Sequence, residues 1–121
     1  MLGAFALALS AADLSGRWIG TVDVQDPTNG DKISTPVRAE LAQKDTVVTG
    51  KIGRAQDEQL ESIRSGQLTG KILVFEVRPE EATSPMKFTL TVVTEDRLEG
   101  DMAGAIDVGK ITGKVVLTRV K

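Results

Sequence analysis

Gly16-Arg17-Trp18-Ile19-Gly20-Thr21-Val22-Asp23-Val24 alternates with a period of two, so that Trp18, Gly20, Val22 and Val24 share one face and Arg17, Thr21 and Asp23 the other. It reads as a β-strand with one face made for a core. The run stops at Asp26-Pro27-Thr28-Asn29-Gly30-Asp31, a cluster of turn formers. The same pattern then recurs to the end of the chain. Residues 32–43 set Ile33, Thr35, Val37, Ala39 and Leu41 against Ser34, Arg38 and Glu40, and Lys44-Asp45 turns the chain into residues 46–53. Further runs at 62–68, 71–78, 86–94, 97–106 and 110–121 bring the strands to eight, and no stretch beyond Ser15 keeps a 3.6-residue period. The one interruption is 54–61, a polar segment without β-branched residues, which predicts either a helical turn or a long loop. The loop 79–85 is bracketed by Pro79 and Pro85 and cannot continue a central strand.

Within these strands a four-residue unit recurs as Val48-Thr49-Gly50-Lys51, Leu68-Thr69-Gly70-Lys71, Leu98-Glu99-Gly100-Asp101 and Ile111-Thr112-Gly113-Lys114. Its spacing is irregular, which excludes a solenoid. An inward strand glycine marks a tight bend or a close approach of neighbouring backbone, as closure of a small barrel demands. Eight sequential strands joined by short hairpins predict an all-β fold, an eight-stranded antiparallel up-and-down meander closed into a β-barrel, since closure removes the exposed edges of an open sheet. Gly20, Ala39, Gly50, Gly100, Gly104 and Gly113 on inner positions leave side-chain volume unfilled, which points either to a cavity or to a narrow, flattened barrel.

Composition bounds the chemistry. The chain has 121 residues and no Cys, His or Tyr. That excludes disulfides, zinc fingers, imidazole metal sites and Cys or Ser/His nucleophile pairs. With 15 basic against 17 acidic residues the net charge is −2, which argues against a nucleic-acid or anionic-membrane partner. Asp23, Glu40, Glu76, Glu99 and Asp101 lie opposite the apolar residues of their strands and read as solvated, and Asp26 to Asp31 lacks the spacing of a calcium loop. The expectation is a protein that is not an enzyme and carries neither metal nor cofactor.

Residues 1–12, Met-Leu-Gly-Ala-Phe-Ala-Leu-Ala-Leu-Ser-Ala-Ala, form an uncharged apolar run ending in small residues. That is the pattern of a secretory signal peptide with Ser10 and Ala12 at the −3 and −1 positions, although no Lys or Arg precedes it. The alternative is a helical turn covering one end of the domain. The run is too short to span a bilayer, which takes about 20 apolar residues. The organisation expected is therefore a signal peptide at 1–12, a single barrel domain at 13–121, and a secreted or periplasmic location.

The opening Gly16-Arg17-Trp18 resembles the Gly-x-Trp signature of the calycin superfamily, which comprises lipocalins, fatty-acid-binding proteins and avidins. In that superfamily the Trp packs against an Arg or Lys of the last strand across one end of the barrel, and Leu117-Thr118-Arg119-Val120-Lys121 supplies Arg119 in the corresponding place. The chain is also similar to small uncharacterised secreted bacterial proteins that begin with a Gly-Lys-Trp-x-Gly-Thr type of strand and end in a Leu-x-Arg strand. The resemblance implies a structural latch between Trp18 and Arg119, a cation on an indole face contributing about 0.5–2 kcal/mol. Avidin-type biotin sites need several Trp and a Tyr, which this chain lacks.

An eight-stranded barrel is either filled by its own side chains or holds one small ligand. The expected function is binding of a small apolar ligand in the barrel interior, with Val22, Val37, Leu41, Val48, Leu73, Phe75, Phe88, Leu90, Met102, Val115 and Leu117 as lining candidates. The same residues would form a fully packed core, and the alternative is an interaction module acting through its outer face or loops. Val47, Ile72, Val74, Val93, Val116 and Val120 fall on the outer phase and are the candidates for such a face, in a monomer or weak homodimer.

Overall fold

The computed structural model describes residues 13–25, 30–78, 84–106 and 109–120, with Ile106 and Gly109 described by backbone alone. The strands are β1 (Gly16–Gln25), β2 (Lys32–Lys44), β3 (Val47–Arg54), β4 (Glu61–Ser62), β5 (Arg64–Thr69), β6 (Ile72–Val77), β7 (Met86–Thr94), β8 (Arg97–Ile106) and β9 (Gly109–Arg119). β4 and β5 are a single strand broken at Ile63, since both pair with β3. Each strand is antiparallel to the next in sequence, and β1 pairs with β9, so eight strands close into an up-and-down barrel. No helix occurs among the described residues, and 55–60 is a loop rather than a helical turn.

The register fixes the size of the ring. From Ser34 of β2, ladder partners run through Asp23, Lys114, Asp101, Thr89, Val74, Gln67 and Val47 and return to β2 at Lys44, ten residues along the same strand. With a rise of about 3.3 Å per residue and strands about 4.8 Å apart, that stagger gives a tilt of about 40° and a radius of about 8 Å. A radius this small forces sharp strand coiling. Glycine supplies it: a Cβ on Gly20 would overlap the carbonyl oxygen of Val116, and one on Gly100 that of Thr89. These inner glycines leave no empty volume, because backbone of the adjacent strand occupies the space. The recurring tetrapeptide therefore serves two purposes: Gly100 admits a neighbouring strand, while Gly70, at φ +61°, makes the turn between β5 and β6 with open space around it.

The two ends of the barrel are built differently. At one end the connections β2–β3, β5–β6 and β7–β8 are two residues long, at 45–46, 70–71 and 95–96. At the other, β1–β2, β3–β4 and β6–β7 are joined by 26–31, 55–60 and 78–85, and β8–β9 by 107–108. Inside, one aliphatic cluster runs from Leu14 and Trp18, both fully buried, to Met102 and Ile111. No polar or charged residue among those described is buried as a whole.

Candidate functional site

The end with the short turns is sealed. Asp13, Leu14 and Ser15 cross it as a strap, with Leu14 wholly buried. The Leu14 N–H donates to Gln43 Oε1 and the Gln43 N–H to Ser15 Oγ, both at 2.9 Å. Trp18, also wholly buried, donates its indole N–H to the Leu14 carbonyl at 2.9 Å. Over the outer side of the indole lies the Arg119 guanidinium, 4.5 Å from the ring centroid. Arg119 donates to the carbonyls of Ser15, Asp13 and Glu95 at 2.8 Å each, and to Asp96 Oδ1 at 3.1 Å. A single side chain thus ties the strap, the β7–β8 turn and the last strand together over Trp18. Asp13 accepts from the Ser15 N–H at 2.9 Å, and its hydrogen bonds to Ser15, helped by Arg119, hold its carboxyl below the usual aspartate range.

The opposite end holds a recess of about 350 Å³. Val22 and Val24 of β1, Val37 of β2, Ile52 of β3, Val77 of β6, Met86 and Phe88 of β7, and Met102 of β8 form its apolar walls. Phe88 stacks on Phe75, its direct partner across β6 and β7, with centroids 4.8 Å apart and planes 10° from parallel. That pair stiffens one side of the recess.

Polar groups occupy the other side. Thr35 of β2, Arg54 at the end of β3, Asp57 in the 55–60 loop and Glu61 of β4 complete the lining. The loop is folded against β2, where Arg38 Nη2 donates to the Asp57 carbonyl at 2.6 Å and the Ala55 N–H to the Pro36 carbonyl at 2.9 Å. Arg54 pairs with Asp57 at 3.2 Å. Glu61 is exposed, and its carboxylate has no hydrogen-bond or ion-pair partner among the described residues.

The interior residues singled out from the sequence therefore separate by depth. Val22, Val37, Phe88 and Met102 line the recess. Leu41, Val48, Leu73, Phe75, Leu90, Val115 and Leu117 are buried in the packed barrel and do not line it. Ile33, in the inward phase of its strand, is 49 % exposed, because it pairs with Val24 where both strands run past the core. The polar wall was not singled out: Arg54, Asp57 and Glu61 lie in the one stretch without periodicity. The signal for it was that interruption itself, a six-residue connection without strand alternation between β3 and β4.

On the outer surface Val47, Ile72, Val93 and Val120 are exposed and Val74 and Val116 half-buried. They alternate with polar neighbours. Ile72 pairs with Thr69 and Thr91, Val116 with Glu99 and Thr21, and Val47 with Gln67 and Lys44. Scattered strand formers of this kind are ordinary surface. Asp23, expected to be solvated, is half-buried between Ser34 and Lys114, and its Oδ1 has no hydrogen-bond partner among the described residues. Among those residues no group of three His, Cys, Asp or Glu could hold a metal ion, and no helix is long and apolar enough to cross a membrane. The 1–12 segment lies outside the described residues, as does most of the Asp26 to Asp31 turn.

No protein-family model matches the chain, and no curated protein matches it at a significant level.

Proposed function

We propose that this protein is an exported, calycin-like binding barrel that holds one small, largely apolar molecule in the recess at its open end, without catalysing a reaction. The observation that carries the reading is the recess itself. Its volume of about 350 Å³ falls in the range of small-molecule sites, and eight apolar side chains from six strands converge on it with a few polar groups on one side. Sealing of the opposite end supports the same reading, because a barrel with one plugged and one open end has a single mouth. The calycin comparison rests on the first-strand Trp18 under the last-strand Arg119 and on the meander order. A non-catalytic role fits a polar wall whose carboxylates among the described residues are Asp57, already held by Arg54, and Glu61. Export rests on the pattern of residues 1–12.

Native mass spectrometry of the protein taken directly from its host tests the binding role. The expected result is an added mass of one small molecule, lost on denaturation and absent from a Val77→Trp variant that fills the recess. A host-derived barrel with no added mass, together with no chemical-shift response to a medium-chain alcohol, would overturn it.

A further inference from the structure

The distribution of charge around the recess goes further than its shape. Among the described residues every polar lining group lies on the β2, β3 and β4 side, and the lining from β1, β6, β7 and β8 is apolar. A ligand with one polar end and one apolar end is matched by such an arrangement, its head toward β3 and β4 and its body against Val22, Phe88 and Met102. The sign of the head follows from which charges are spent. The Arg54 guanidinium is engaged by Asp57, through Nη2 at 3.2 Å and through Nε at 3.4 Å. Asp57 is further fixed by Arg38 on its carbonyl. The one formal charge on the lining that has no partner among the described residues is the Glu61 carboxylate.

The sequence of the adjoining connections has the same sign. The four connections that join strands at this end, 26–31, 55–60, 78–85 and 107–108, contain seven acidic residues in sequence and one basic residue, Arg78. The whole chain is almost balanced, with a net charge of −2, so these connections are richer in acidic residues than the rest of the sequence. A mouth of one sign draws in ligands of the other.

Building on the reading of the recess as a ligand site, we propose that its ligand class is the cationic amphiphile, a molecule with an alkyl or similarly apolar body and a protonated amine head that pairs with Glu61. The body supplies affinity through burial and the head supplies selectivity.

Three probes of equal chain length separate the terms: n-octylamine, n-octanol and n-octanoate, titrated at neutral pH into isotope-labelled protein, with dissociation constants read from shifts of the Val22, Val77 and Met102 methyl signals. The amine is expected to bind about fivefold more tightly than the alcohol, the range of a partly exposed ion pair, and the carboxylate more weakly than the alcohol. Glu61→Gln is expected to bring amine and alcohol to the same affinity while leaving the alcohol constant unchanged. The residue is exposed, so the variant should fold, and its methyl spectrum verifies this. Arg54→Gln is expected to keep or increase the preference for the amine. Octanoate binding as tightly as octylamine, or an amine preference untouched by Glu61→Gln, would overturn the cationic assignment while leaving the recess a ligand site. Failure of all three probes, the neutral alcohol included, would remove the ligand site and with it the assignment built on it.

Discussion

The two ends of this barrel share strands and pitch, yet one is sealed and the other holds a recess. At the closed end the chain spends two residues on each turn, and the Trp18 indole N–H and the Arg119 guanidinium both bond to the strap. At the open end three of the four connections lengthen, the side chains stop short of filling the ring, and Glu61 is left facing solvent without a partner among the described residues. The difference teaches that a small barrel gains a recess at its end, where the connections lengthen, rather than along its strands. Stability is concentrated where loops are short, and chemistry is admitted where they are long.

If that division is right, matched substitutions at the two ends should behave differently, and the sharpest break comes at Trp18. Trp18→Ala removes a fully buried indole and the hydrogen bond to Leu14, and should cost about 3–5 kcal/mol in urea unfolding, enough to unfold a marginal domain. Arginine gives the next contrast. Arg119→Ala should lose about 2–4 kcal/mol, since it strips four hydrogen bonds, two of them part-buried, and uncovers the Trp18 ring, whereas Arg54→Ala, on a side chain 62 % exposed, should lose less than about 1 kcal/mol. Equal losses from the two arginines would erase the distinction between a latch and a rim.

Added bulk sharpens the comparison further. Val115→Phe, in the packed half, should destabilise by about 1–3 kcal/mol, while Val24→Phe, half-buried at the recess, should change stability by less than about 1 kcal/mol. Only the second should abolish binding of the octyl probes, read by the same methyl shifts. The smallest effect is the acid response of the strap. Because folding lowers the Asp13 pKa, its contribution is present above the ordinary aspartate value and is lost as pH falls through the lowered one. The wild type should therefore melt slightly above Asp13→Asn at pH 6, and the gap should shrink toward zero by about pH 2–3, measured by thermal unfolding in the two buffers.

How far this division could be read in advance depends on what a period of two records. Alternation reports which face a residue takes, so the strands, the meander and the buried set from Val22 to Leu117 were legible. It carries no information about depth along the barrel axis, which is fixed by the ten-residue stagger, a property of pairing between strands distant in sequence. Phe75 and Phe88 have the same inward phase and adjacent positions, yet only Phe88 meets the recess. The latch at the closed end was legible only through the resemblance of Gly16-Arg17-Trp18 and Arg119 to the Trp and cation pair of calycin barrels. Its strap was not, because Asp13, Leu14 and Ser15 have no periodicity to mark them. The inward glycines were correctly placed but misleading about volume, since a sequence shows the missing side chain and not the strand that moves into its space.

The guanidinium that caps Trp18 also sets a condition on when the molecule can exist. Arg119 bonds to the carbonyls of Ser15 and Asp13, which lie 104 and 106 residues before it in the chain. Hairpins such as β2–β3 and β7–β8 need only local sequence, but the ring has no closing strand until translation has passed residue 119. A nascent chain is thus expected to hold a set of hairpins with a vacant edge on β1, and to become a protease-resistant barrel only after its final strand is released. Arg119, on the strand that closes the ring, therefore acts as a completion signal for the whole fold.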